Sequence, residues 1–107
     1  MRFRVALFAL AVAAAGCAPA ATVVNVSVTD DGFEPKVVTV PQGRKATLVI
    51  TRKVEATCAT EAVFVENGQR YDLPLGQAVS IPIATDSVRT LHYACAMDMY
   101  HGQVDVK

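Results

Sequence analysis

Val23-Val24-Asn25-Val26-Ser27-Val28-Thr29-Asp30-Asp31-Gly32 is the stretch that decides the fold. Val24, Val26 and Val28 alternate with Val23, Asn25 and Ser27, a period of two that turns successive side chains to opposite faces. Branched side chains suit a pleated, half-buried surface. Asp30-Asp31-Gly32 then halts the run with residues that favour turns.

The same grammar continues outward to the C-terminus. Lys36 to Val40 forms a second run, Pro41-Gln42-Gly43 a turn, and Lys45 to Arg52 a third run with Ala46, Leu48 and Ile50 on one face. Ala62 to Val65 leads into Glu66-Asn67-Gly68-Gln69, and Asn-Gly between β-prone runs signals a hairpin. Tyr71 to Leu73, Ala78 to Ile83, Val88 to Cys95 and Gln103 to Val106 complete the series. No 3.6-residue apolar period persists between Thr22 and Lys107, and no internal repeat or low-complexity linker follows Ala21. Seven to eight short strands in one domain, residues 22–107, predict an all-β Greek-key β-sandwich or small barrel. A domain of this size has a modest core that benefits from a staple.

Toward the N-terminus the character changes. Arg2 and Arg4 precede an apolar run from Val5 to Ala15 and then Gly16-Cys17, the layout of a secretory signal peptide over residues 1–16. The run is shorter than the roughly 20 apolar residues that span a bilayer. Ala14-Ala15-Gly16-Cys17 resembles a bacterial lipobox, which implies lipidation of Cys17, a short tether over 17–21 and a lipid-anchored protein of the cell envelope. Ala18-Pro19-Ala20 offers a competing cleavage site, and cleavage there gives a secreted periplasmic form. Any membrane contact is expected only through the lipid anchor. Without residues 1–16, the ten Lys and Arg lose two members and stand at eight against ten Asp and Glu. No basic stripe marks a nucleic-acid partner.

With Cys17 assigned to processing, Cys58 and Cys95 are the two thiols of the domain, in a compartment that oxidises unprotected pairs. Cys95 opens the segment Cys95-Ala96-Met97-Asp98-Met99-Tyr100-His101-Gly102. If Leu91 and Tyr93 face the core, so does Cys95, while Thr90 and His92 lie on the other face and His92 is a bystander. Fully extended, Cys95 and His101 would stand roughly 20 Å apart. For several of these groups to meet one ion, at bond lengths of about 2.0–2.3 Å, the segment must curl into a rim loop. Gly102 is the residue expected to supply an unusual φ for the return. Thiolate and thioether are soft donors that favour Cu(I), so Cys95, Met97, Met99 and His101 together point to copper. The competing expectation is that the methionines are packing and the two cysteines a disulfide. Tyr100 reads as rim packing, and Arg52, Lys53 and Glu55 as a solvated strand end. Nothing orients Cys95 and His101 as nucleophile and base, so an enzyme is not expected.

The chain resembles the cupredoxin superfamily, in particular small bacterial domains of the type found in envelope iron-uptake and copper-handling proteins. The resemblance runs through Asp31-Gly32-Phe33-Glu34-Pro35, Val37 to Gly43, Arg52-Lys53, the Thr57-Cys58-Ala59-Thr60 loop, Leu73-Pro74-Leu75-Gly76, Leu91 to Cys95, and Gly102 to Val106. It implies a Greek-key sandwich that holds copper between the loop after a middle strand and the loop before the last, where Cys58 and Cys95 fall. It departs from blue-copper carriers, which usually place His where this chain has Cys58 and order His before Met after the late Cys. The ligand set so implied is Cys58, Cys95, Met99 and His101, with Met97 beside Met99. The expected function is copper buffering, transfer or tolerance, with the copper ion and another envelope copper or redox protein as partners. Electron transfer and a structural or interaction module with a Cys58–Cys95 disulfide are the alternatives.

Overall fold

The structure, a computed structural model, describes residues 21–107, so the expected leader 1–16, lipidation at Cys17 and residues 17–20 of the tether lie outside the described residues. Nine strands follow in order: β1 Thr22–Thr29, β2 Gly32–Glu34, β3 Val37–Val40, β4 Ala46–Arg52, β5 Glu61–Phe64, β6 Arg70–Asp72, β7 Ala78–Ile83, β8 Arg89–Ala94 and β9 His101–Val106. They form two mixed sheets, one ordered β2-β1-β4-β7 and the other β3-β9-β8-β5-β6. The all-β reading holds, and the described strands exceed the seven to eight expected. The additional one is β2, three residues that pair antiparallel with the end of β1 through Val28 and Phe33. Too short to show alternation and placed directly after Asp30-Asp31, it reads from sequence as turn.

The alternation of β1 has its expected result: Val26 and Val28 are buried while Ser27 stays half-exposed. β4 supplies Ala46, Leu48 and Ile50 to the same core, lying parallel to β1 and antiparallel to β7. From the facing sheet come Phe64, Tyr93, Val104 and Val106. Phe33 meets the Tyr93 ring edge-on at 4.8 Å between centroids, and Phe64 lies 5.4 Å from it. Pairs of this geometry contribute about 0.5–1.5 kcal/mol beyond the area they bury.

Two features of this frame position the rim. β5 and β8 are hydrogen-bonded neighbours, with Val63 opposite Ala94 and Phe64 opposite Tyr93. The loop entering β5 and the loop leaving β8 therefore emerge side by side. Cys58 lies in the first and Cys95 in the second.

Candidate metal centre

The loop that carries Cys58 is tied at both ends. The Lys53 N–H donates to the Val28 carbonyl, and the Leu73 N–H donates to that of Thr60. Beside Cys58, the Ala59 N–H donates to Thr57 Oγ1 at 3.0 Å and the Ala59 side chain is fully buried. Cys58 itself is half-buried.

Cys95 continues the inward set of β8. Tyr93 is buried and Leu91 half-buried, whereas Thr90 and His92 are exposed. This is the parity the sequence predicts. Cys95 is 2% exposed. After it the chain curls tightly: the Asp98 N–H donates to the Cys95 carbonyl at 2.9 Å, and the Cys95 N–H donates to the Tyr100 carbonyl at 3.1 Å. The curl turns two more amides inward, so that the N–H groups of Met99 and Tyr100 point at Cys95 Sγ from 3.2 and 3.4 Å. Asp98 takes the left-handed conformation at φ 59° that closes the turn. Asp tolerates it better than most residues because its short polar side chain can bond locally.

The return does not use Gly102 in the way the sequence suggests. Its φ lies outside the left-handed region, and its lack of a side chain serves packing: a Cβ at 102 would sit 2.1 Å from Tyr93 Cζ. Tyr100 pins the curl from outside. Its ring lies over Gly32, where a Cβ would come within 2.7 Å of Cδ1, and its hydroxyl donates to the Asp30 carbonyl at 3.1 Å. The expected rim packing by Tyr100 thus rests on β2, through Gly32.

The two sulfurs meet. Cys58 Sγ and Cys95 Sγ are 3.4 Å apart, and both cysteines are free thiols. Burial pushes the Cys95 thiol up, but the N–H groups of Tyr100, Met99 and Met97 and the Cys58 thiol outweigh it and hold Cys95 below the ordinary thiol value. Cys58 moves the other way, raised by burial and by its hydrogen bond and charge interaction with Cys95. The two thiols are thus pushed in opposite directions, Cys95 down and Cys58 up, across a contact in which either sulfur can donate.

The remaining expected ligands lie in the curl after Cys95 and at the start of β9. Met97 and Met99 are 69% and 65% exposed, more open than thioethers filling a core. Met99 and His101 border one shallow cleft with Asp31, Phe33, Lys36 and Tyr100. His101 opens β9 on the face opposite buried Gly102, and its Nε2 is 3.1 Å from the Asp98 carbonyl oxygen. Among the described residues, no His, Asp or Glu gathers with the two thiols as a third member of a metal-holding group. His92 is occupied elsewhere, with its Nδ1 at 2.9 Å from Glu66 Oε1. Arg52 is less solvated than expected, its Nε buried without a partner among the described residues.

The donor set fits copper. With metal–sulfur bonds of about 2.3 Å, two sulfurs on one ion lie at most about 4.6 Å apart, and 3.4 Å falls inside that span. Sulfur donors are soft and favour Cu(I) over hard ions such as Mg or Ca, and the exposed Met97 and Met99 add thioethers to the loop that carries Cys95.

Comparison with known proteins agrees at the level of fold. The sequence pattern of the family described as "Cupredoxin-like domain" matches residues 2–106. The apo form of a copper binding protein, solved by NMR, is 26% identical, with a TM-score of 0.72 over 81% of this chain and 88% of that one. The metal binding domain of the Streptococcus pneumoniae D39 Cu(I)-exporting P-type ATPase CopA, solved with Cu(I), superposes with a TM-score of 0.72 at 18% identity, over 81% of this chain and 86% of that one. Dithionite-reduced auracyanin from Roseiflexus castenholzii gives 0.63 at 16% identity, over 83% and 99%. No curated protein sequence matches the chain.

Proposed function

The chain belongs to the cupredoxin-like domain family, and from that premise we propose that it is a cell-envelope copper-binding protein that holds Cu(I) at Cys58 and Cys95 for buffering, transfer or tolerance. The observation that carries this reading is the 3.4 Å approach of two free thiols contributed by separate loops. Met97 and Met99, both exposed, supply thioethers where an incoming or departing Cu(I) would pass. His101 joins the set by giving up its hydrogen bond to the Asp98 carbonyl.

Several features favour storage or transfer over an electron relay. A blue-copper centre needs two imidazoles and one thiolate in a trigonal arrangement, whereas the early loop brings Cys58 and His92 is engaged with Glu66. Two sulfurs stabilise the reduced ion strongly, which suits holding Cu(I) rather than cycling it. No enzymatic activity is proposed. The copper partner is the ion itself together with another envelope copper or redox protein. Attachment to the membrane is through lipid on Cys17.

Anaerobic titration of the reduced full chain with Cu(I), in competition with a Cu(I) chelator, tests the reading. The chain carrying Cys17→Ser should retain one tightly bound equivalent, and Cys58→Ser or Cys95→Ser added to it should lose that equivalent. Unchanged affinity in both variants would reject the assignment.

A further inference from the structure

The thiol pair is placed to do more than hold the reduced ion. We propose that Cys58 and Cys95 also act as a stoichiometric reductant of Cu(II), converting two cupric ions to cuprous ions as the pair closes to a disulfide. This rests on the copper reading above and extends it from binding to redox chemistry. The balance is complete with Cu(II) as the oxidant. Two thiols give two protons and two electrons, one S–S bond forms, and each of two Cu(II) ions takes one electron to become Cu(I).

The geometry fits this step. An S–S bond is about 2.05 Å long, so the sulfurs must approach by roughly 1.3 Å from their separation of 3.4 Å. The two loops flank the hydrogen-bonded strands β5 and β8, which keeps the sulfurs from drifting apart. The amides of Met99 and Tyr100 fix Cys95 Sγ in position against Cys58.

Exposure assigns the order of events and confines the reaction to one chain. Cys58 is half-buried, so aqueous Cu(II) meets its sulfur first. Cys95, at 2% exposed, is out of reach of another protein's thiol but in contact with Cys58. Oxidation of Cys58 is therefore completed within the molecule. The exposed thioethers of Met97 and Met99 remain after the thiols are consumed. Thioethers prefer the cuprous ion, so these side chains offer the product a resting place once the disulfide has formed.

The test adds copper(II) sulfate to the anaerobic, reduced full chain carrying Cys17→Ser, so that Cys58 and Cys95 are its only thiols. Cu(I) is read with a colorimetric cuprous chelator, free thiols by Ellman's reagent, and the oxidised product by intact mass. The expected result is two Cu(I) produced and two thiols lost per chain, with a monomer two hydrogens lighter. Cys58→Ala should lower the initial rate at least tenfold, towards the background of the Cys58→Ala/Cys95→Ala double variant, and circular dichroism confirms that each variant is folded. If Cys58→Ala does not fold, Cys95→Ala is read in its place against the same expectation. Cu(II) left unreduced with both thiols intact would overturn the proposal, and so would disulfide-linked dimers as the oxidised product. Failure here is separable from failure of copper storage. A chain that binds added Cu(I) but leaves Cu(II) unreduced loses only the reductant role, whereas one that reduces Cu(II) but, with its thiols reduced, fails to bind added Cu(I) loses only the storage role.

Discussion

At position 102 a single hydrogen atom decides whether the last strand can lie across the aromatic core. The Tyr93 ring fills the space where any side chain would begin. Gly102→Ala must push that ring or the strand aside, and overpacking of this kind costs about 1–3 kcal/mol. Urea denaturation should report the loss as a lower midpoint at unchanged slope. Tyr93 itself carries a hydroxyl buried without a partner among the described residues, and burial raises its phenol far above the ordinary range. An unsatisfied buried polar group costs about 1–3 kcal/mol. Tyr93→Phe should therefore melt no lower than the parent chain, and a clear drop in melting temperature would show that the hydroxyl has a partner. The sequence makes Tyr93 legible as inward-facing through the parity of β8. It does not reveal why glycine follows nine positions later, because the reason is a contact between strands rather than a local conformation.

At the scale of elements, the curl from Cys95 to Tyr100 is held by β2 as much as by its own hydrogen bonds. Gly32, at φ +105°, lies under the Tyr100 ring. Gly32→Ala would strain the backbone and displace Tyr100, whose N–H points at Cys95 Sγ. The expected outcome is a lower melting temperature together with weaker Cu(I) affinity in chelator competition, although residue 32 touches neither sulfur. On the outer side of β8, Glu66 accepts hydrogen bonds from the His92 backbone N–H at 2.9 and 3.1 Å and meets its Nδ1 at 2.9 Å. Partial burial works to raise the Glu66 carboxyl, but the His92 bonds prevail and hold it below its ordinary value of 4.5. A carboxylate whose folded pKa is depressed stabilises the fold fully above its unfolded pKa and loses that contribution as pH falls through the folded value. The stability gap between the parent and Glu66→Gln should therefore be constant near neutrality and close below pH 4.5, as followed by thermal melts across pH. Most strands were readable from alternation and turn residues: β7 has the bounds its sequence suggests, and the Asn67-Gly68 hairpin joins antiparallel β5 and β6. β2 was not readable, being three residues without a period. The left-handed turn fell to Asp98 rather than Gly102 because a buried ring, invisible in sequence, had already claimed the glycine.

At the scale of the whole molecule, neighbouring strands of one sheet bring together thiols separated by 37 positions. Sequence spacing alone does not measure that distance. The resemblance to cupredoxins put Cys58 and Cys95 in loops at one place, and the pairing of β5 with β8 supplies the physical reason they meet. The orientation of His101 toward Asp98 was beyond sequence reasoning, since it depends on the curl of the loop. A ligand bound only by the folded state stabilises it by RT ln(1 + [L]/Kd), about 2.7 kcal/mol at one hundred times Kd. Loading with Cu(I) should accordingly raise the melting temperature by several degrees, and removal by a chelator should restore the apo value. Closure of the disulfide should also stabilise the apo chain, by about 3–4 kcal/mol on the chain-entropy model, so the reduced, metal-free form is expected to melt lowest of the three. The most direct measurement is copper K-edge X-ray absorption on the Cu(I)-loaded chain carrying Cys17→Ser. The predicted first shell contains at least two sulfurs at about 2.3 Å, with sulfur lost when Cys58 and Cys95 are both replaced by serine. A shell made of nitrogen and oxygen, unchanged by that replacement, would contradict it.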